Sequence, residues 1–266
     1  MPEPTRSPIK DKPLRLPGQS LQEERAGLWD DKLEPWLILT LFFVMLAFWE
    51  WLRFFFPTRV SPWFYTFVAM CAVAFASWRV WRLRPRLRAL RQGIDGEKAV
   101  GQFLERLRED GYHVFHDLIG DNFNVDHVLI GPAGAFTIET KTWSKPQRGD
   151  ARIAYDGNML TVSGLEPERD PIVQAKAQAN WLRTLLREST GRSIHVQPVV
   201  VFPGWYVDAA VGAHREVWVL EPKGLPAFLK NEPDRLAAEA VTLAAYHLGR
   251  HVRSVERERA AAQGVS

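Results

Sequence analysis

Cysteine is all but missing from this sequence, with Cys71 standing alone. A single cysteine excludes an intrachain disulfide framework and any zinc cluster built on several thiolates. Cys71 lies in an apolar run, where the expected role is that of a small buried hydrophobe. A strong charge of one sign is also lacking. There are 34 Lys and Arg against 31 Asp and Glu, a formal net charge of +3. That balance is unevenly shared. Gln92 to Ser266 holds 20 Lys and Arg against 23 Asp and Glu, a balance of −3, which leaves +6 on the first 91 residues. The larger part is therefore not a basic body that clings to any polyanion. The chain shows no internal repeat. Its opening is too long and too polar for the n-region of a cleaved secretory signal.

What the chain does have is two long apolar runs, Pro35 to Trp51 and Pro62 to Trp81. As helices each would be about 25–30 Å long, near the thickness of a bilayer core. Neither has a polar face, and Trp36, Trp49, Trp51, Trp63, Trp78 and Trp81 sit near their ends, as an aromatic belt requires. Residues 35–81 thus read as a two-helix transmembrane hairpin in contact with the lipid bilayer. Glu50 and Arg53 are spaced to pair at the end of the first span. Arg79, Arg82, Arg84, Arg86, Arg88 and Arg91 follow the second span, against Arg53 and Arg59 in the loop between them. The positive-inside rule then puts both termini in the cytoplasm of a two-span cell-membrane protein. The basic linker at 82–92 makes Arg79–Arg91 a candidate for anionic lipid head groups. Residues 1–34, polar and Pro-rich near their start, are expected to be a disordered cytoplasmic tail. Residues 254–266 are expected to be a flexible one.

Residues 93–253 have the composition of a soluble α/β domain. Helical spacing predicts a helix over Ile94–Asp110, stopped by Gly111. Tyr112–Leu118 alternates as a strand, with His113 and His116 as strand residues and not metal ligands. Asp156-Gly157 joins Arg152–Tyr155 to Met159–Val162 as a hairpin. Asp170 and Pro171 open a helix as N-cap and N1, and Gly191 ends it. His195–Phe202 and Glu216–Leu220 read as buried strands. Leu225–Leu229 and Asp234–Arg253 read as helices.

The stretch with chemical content is Asn124 to Lys141, NVDHVLIGPAGAFTIETK. Two β-branched runs flank the turn signal Gly131-Pro132-Ala133-Gly134. A symmetric turn sets Ile130 against Ala135, Val128 against Thr137 and Asp126 against Glu139. Lys141 then shares the face of Glu139. Opposed carboxylates repel, so a divalent cation or a shared proton must offset them. Asp126 followed by Glu139-x-Lys141 one hairpin later resembles the PD-(D/E)xK nuclease site.

The resemblance extends beyond that pattern. Gly93-x-x-Gly96-Glu97, Asn124-Val125-Asp126-His127-Val128, Gly131-Pro132-x-Gly134, Ile138-Glu139-Thr140-Lys141, Pro171-x-x-Gln174 and Gln197-Pro198-Val199-Val200-Val201-Phe202 occur in order from Gly93 to Pro203. Together they resemble the NERD (nuclease-related) domain. The resemblance implies a restriction-endonuclease-like α/β fold, a mixed sheet flanked by helices, with DNA as the partner processed. It also implies Mg²⁺, with Mn²⁺ as an alternative, held by Asp126, Glu139 and the Thr140 carbonyl. Such an ion would stabilise phosphoryl charge and acidify a water, which Lys141 would orient. Glu97 would reach a water of the ion, and Gln174 would support the site from a later helix. For Glu97, a helix-start carboxylate favoured by the macrodipole is the competing reading. For Gln174 it is an ordinary polar residue of the first helical turn. Gly96 and Gly93 are expected to serve close backbone approach. The competing function is a catalytically silent nucleic-acid- or protein-binding scaffold at the membrane.

Overall fold

The computed structural model describes residues 14–55, 63–120, 123–145, 152–162 and 170–262. The loop between the apolar runs, most of the basic connection after Trp143 and both extreme termini lie outside the described residues. The chain divides into two compact units. One is residues 20–92; the other joins the segment up to Gln19 to everything from Gly93 onward.

The first unit contains α1 (Gln19–Lys32), α2 (Glu34–Phe55) and the first part of α3 (Trp63–Leu104). Two helices, one through α2 and one through α3, are long and apolar enough to cross a membrane, and only 11% of each most apolar window is buried. Leu37, Phe48, Phe64 and Phe67 are among the large apolar side chains left exposed along them. Glu50 pairs with Arg53 at 3.1 Å. Cys71 is exposed and not buried as expected, because two helices side by side leave most of their apolar surface facing outward.

Two expectations are corrected here. Residues 14–34 are not disordered. Gln, Glu, Arg, Ala and Lys are strong helix formers, and α1 gains the tertiary contact it needs by burying Leu28 and adjoining Leu33. Nor do Arg82 to Gln92 form a linker: α3 continues through them, with Pro85 inside it. Pro85 costs a backbone hydrogen bond, yet the arginines around it are good helix formers and carry the helix on.

In the second unit, α3 ends at Leu104 and a 3-10 turn over Glu105–Arg108 follows. The strands are β1 (His113–Ile119), β2 (Asn124–Gly131), β3 (Gly134–Thr140), β4 (Arg152–Tyr155), β5 (Leu160–Val162), β6 (Val196–Val201), β7 (Tyr206–Ala209) and β8 (Trp218–Leu220). The helices are α4 (Pro171–Thr190), α5 (Leu225–Asn231) and α6 (Ala238–Ala262). α6 therefore runs past Arg253 through most of the expected flexible tail, with Glu256 tied to Arg15 at 2.7 Å.

The strands form a mixed five-stranded sheet, β1-β2-β3-β6-β8, and a small sheet, β5-β4-β7. β1, β2 and β3 are antiparallel neighbours, while β6 and β8 continue parallel to β3. One face packs Val128, Ile130 and Ala135 against α4 and α6. The other packs Leu129, Phe136 and Ile138 against the end of α3 and against α5. The mixed α/β sheet flanked by helices is thus the architecture expected. β7, which pairs in parallel with β4, was not expected; its short run is only half-buried and carries little pattern.

Candidate active site

The β2–β3 hairpin has the expected register. Ile130 pairs with Ala135 and Val128 with Thr137, and Gly131 pairs with Gly134 across Pro132-Ala133. Gly134 has φ +129°, a conformation glycine adopts readily. Continuing that register one step past His127 and Ile138 puts Asp126 opposite Glu139. On the other side, His116 pairs with His127 and Leu118 with Val125, and Asp117 occupies the unpaired step between them. Asp126 and Glu139 thus form one row across β2 and β3, with Asp117 beside it on β1.

Each is held by identifiable donors. The Thr140 amide donates to Asp126 Oδ2 at 2.7 Å. Lys141 Nζ donates to Glu139 Oε1 at 2.6 Å and to Gln174 Oε1 at 3.0 Å. Gln178 Nε2 donates to the other Glu139 oxygen at 2.5 Å and to the Asn124 carbonyl at 2.9 Å. Gln174 and Gln178 are one helical turn apart on α4, so both reach the row. The helix is positioned by the expected cap: Asp170 accepts from the Ile172 amide, Pro171 is at N1 and Gly191 ends the helix left-handed. Asp117 is buried and ion-paired to Arg15 at 2.7 Å. It is also the one non-glycine residue with positive φ among the described residues, at 52°. That conformation costs an L-residue about 1–2 kcal/mol, less for Asp than for most, and such strain tends to persist where function demands it.

Glu97 arrives from α3. A Cβ at Gly96 would lie 1.8 Å from Thr142 Oγ1, so the missing side chain lets α3 approach the chain just beyond Lys141. Glu97 is buried, and its pKa is pushed up to about 8 by burial first, then by Asp117 and Glu139; the Gly18 amide and Lys141 act against the rise. As a residue Asp126 is partly open, but its carboxyl group is surrounded by protein. Burial, then Glu139 and Glu97, hold it well above the usual carboxylate range.

The sheet brings Asp126, Glu139 and Lys141 together; α3 adds Glu97, and α4 adds Gln174. Thr140 touches Asp126 through its amide nitrogen. Asp117, Gln178 and Arg15 were not anticipated. For Gln178 a signal existed, since it follows Gln174 at i+4 on the same face. Asp117 sits where its own positive φ interrupts the alternation of β1, and Arg15 lies in a segment that composition assigns to disorder.

Do these residues fit a divalent cation? Fully ionised, Asp117, Asp126, Glu139 and Glu97 exceed Lys141 and Arg15 by two negative charges. The Gln178 oxygen is buried with no partner among the described residues, as an acceptor awaiting a donor would be. The donor set is the hard oxygen type that suits Mg²⁺ or Mn²⁺. Against this, among the described residues no three His, Cys, Asp or Glu side chains already converge as a cage. The charge and chemistry fit, while Glu139 spends both oxygens on Lys141 and Gln178.

On the opposite face, His127 and His116 approach Nδ1 to Nδ1 at 2.9 Å, and His116 Nε2 meets Glu105 at 2.9 Å. Burial, then His116, holds the His127 pKa well below its ordinary value. Neither ring joins the carboxylate row.

With known proteins compared, residues 92–203 match the family model of the nuclease-related domain, NERD. An uncharacterized protein of Bacillus anthracis is 35% identical over 57 residues, which are 20% of this chain and 27% of that protein. The match therefore spans about a quarter of the relative's length. No solved structure matches. The carboxylate row lies inside the stretch that matches the nuclease-related domain.

Proposed function

We propose that this is a membrane-anchored, divalent-metal-dependent phosphodiesterase acting on DNA, with a restriction-endonuclease-like core. The observation that carries the reading is the row Asp126, Glu139 with Lys141 clamped to its end, inside a stretch that matches a nuclease-related family. Asp126 and Glu139 would hold the ion, Mg²⁺ or Mn²⁺. When bound it would neutralise charge on the phosphoryl group and supply a water made acidic. Lys141 stands beside Glu139 as the cation best placed to orient the attacking group or balance charge developing on phosphorus. Gln174 and Gln178 fix the rotamers of Lys141 and Glu139. Glu97 reaches the row from α3 and would hold a water of the ion. α2 and α3 would be the spans, with both termini cytoplasmic by the arginine excess, and the arginine stripe would lie at the head-group layer.

The test is cleavage of single- and double-stranded DNA by the purified chain with Mg²⁺ or Mn²⁺. Asp126→Ala and Lys141→Ala should each lower the rate at least about 100-fold while circular dichroism stays unchanged. Equal cleavage by both variants would remove the mechanism. A second reading, a silent binding scaffold, draws on the absence of a ready-made cage among the described residues. It predicts DNA or protein binding with no metal dependence.

A further inference from the structure

Away from the carboxylates, the unit of residues 20–92 contains a groove of about 580 Å³ between α1 and α3. Arg25, Trp29 and Asp30 line it from α1, and Arg84, Arg88 and Arg91 from α3. The spacing on each helix is that of a single face, so both helices turn these residues to one opening. Arg86 is different. It is on the same stretch of α3 but is neutralised by Glu24 at 2.6 Å. Arg25, Arg84 and Arg88 have no hydrogen-bond or ion-pair partner among the described residues. These three guanidiniums, with Arg91 beside them, line a cavity larger than a phosphate group that holds one carboxylate, Asp30.

Position adds to charge. Arg84 comes about 5 Å and Arg91 about 15 Å beyond Trp81 along the helix. The head-group layer is about 5–8 Å deep on each side of a bilayer, so the groove begins where phosphates would be. Trp29 is half-exposed in it, a side chain that favours this interface. Guanidinium forks bind phosphate oxygens in pairs.

The geometry points to a discrete binding site for one anionic phospholipid head group, closed by α1 over the arginine face of α3. The ligand chemistry is a phosphate ester with net negative charge. The inference goes beyond a general attraction of arginines to anionic membranes: it requires α1, and it requires saturable, stoichiometric binding. It rests on reading α2 and α3 as spans.

The test uses the full chain in neutral detergent, with native mass spectrometry counting retained phosphatidylglycerol against phosphatidylcholine. The expected result is one phosphatidylglycerol held at least tenfold more strongly. Arg84→Gln with Arg88→Gln should lower retention tenfold or more. Arg25→Gln, on the other helix and outside both spans, should lower it about fivefold, with Arg25→Lys between it and wild type. Asp30→Asn should raise retention. Circular dichroism of each variant must match wild type; a fold loss in the double variant leaves Arg25→Gln to decide. Equal retention by Arg25→Gln and wild type overturns the proposal. So does full displacement of lipid by equimolar inorganic phosphate, which makes this an ion pocket. So too does an oligonucleotide whose binding falls in these variants while lipid retention does not, which makes it a nucleic-acid surface. Alkaline carbonate extraction is read separately. Release of the chain from membranes would refute the spans, whatever the lipid count.

Discussion

The carboxylates on the five-stranded sheet and the arginines of α1 and α3 are both gatherings of like charge, but one is buried and the other open. Burial decides how each is tolerated. Among the carboxylates, Asp126 and Glu97 keep their protons far above the usual range, and Asp117 and Glu139 each grip a cation at 2.7 and 2.6 Å. The arginines need no such help, because solvent screens exposed charge. A buried cluster therefore stores free energy that a bound cation can release. An open one merely waits for a large anion.

The comparison can be broken first at Arg15, where the largest stability effect is expected. Arg15→Ala strands Asp117 buried without its ion pair and should destabilise the domain by about 3–5 kcal/mol. Adding Asp117→Asn should recover much of the loss, as measured by urea unfolding. If Arg15→Ala is neutral, the buried cluster is wetter than its burial implies.

The next effect is pH dependence. Between pH 4.5 and 8, folded Glu97 keeps a proton that the unfolded chain has released, so stability falls as pH rises through that window. His127, held neutral by burial, acts in the opposite sense below about pH 6.5, where the unfolded chain gains a proton that the folded one refuses. The net fall is expected from pH 6.5 to 8, on the order of 2 kcal/mol. Thermal melts should show it without metal and lose it with millimolar Mn²⁺. A flat profile would deny the storage of like charge.

Smaller again is Gly96→Ala. The added methyl must displace Thr142 and should cost about 1–3 kcal/mol, with DNA cleavage falling further than stability because Glu97 moves with the helix. Smallest is Arg84→Gln, expected to change stability by less than about 0.5 kcal/mol. A large loss there would mean that the groove is structural.

How much of this could be read from the residues differs between the two regions. The hairpin register was legible, because β-branched alternation and a Gly-Pro-x-Gly turn leave one pairing that buries Val128 and Ile130. With it came Asp126, Glu139 and Lys141 on one face. Asp117 was not legible: Gly120-Asp121-Asn122 signals a turn between β1 and β2, but the positive φ at Asp117 breaks the alternation that would place its side chain. α1 was hidden for another reason. A polar helix owes its stability to what it packs against, and the hydrophobic pattern of Gln19–Lys32 shows only Leu21, Leu28 and Trp29. α3 was read as two pieces because Pro85 and the arginines look like a linker. Arg15 needed long-range knowledge of Asp117 and Glu256.

The most direct test of the buried cluster as a cation site is calorimetric titration of Mn²⁺ into the purified chain at pH 7.5. Saturable binding is expected, with protons released to buffer as Glu97 and Asp126 give them up, and Asp126→Asn should abolish both heat and release. Binding that survives Asp126→Asn, or no heat at millimolar Mn²⁺, would contradict the account.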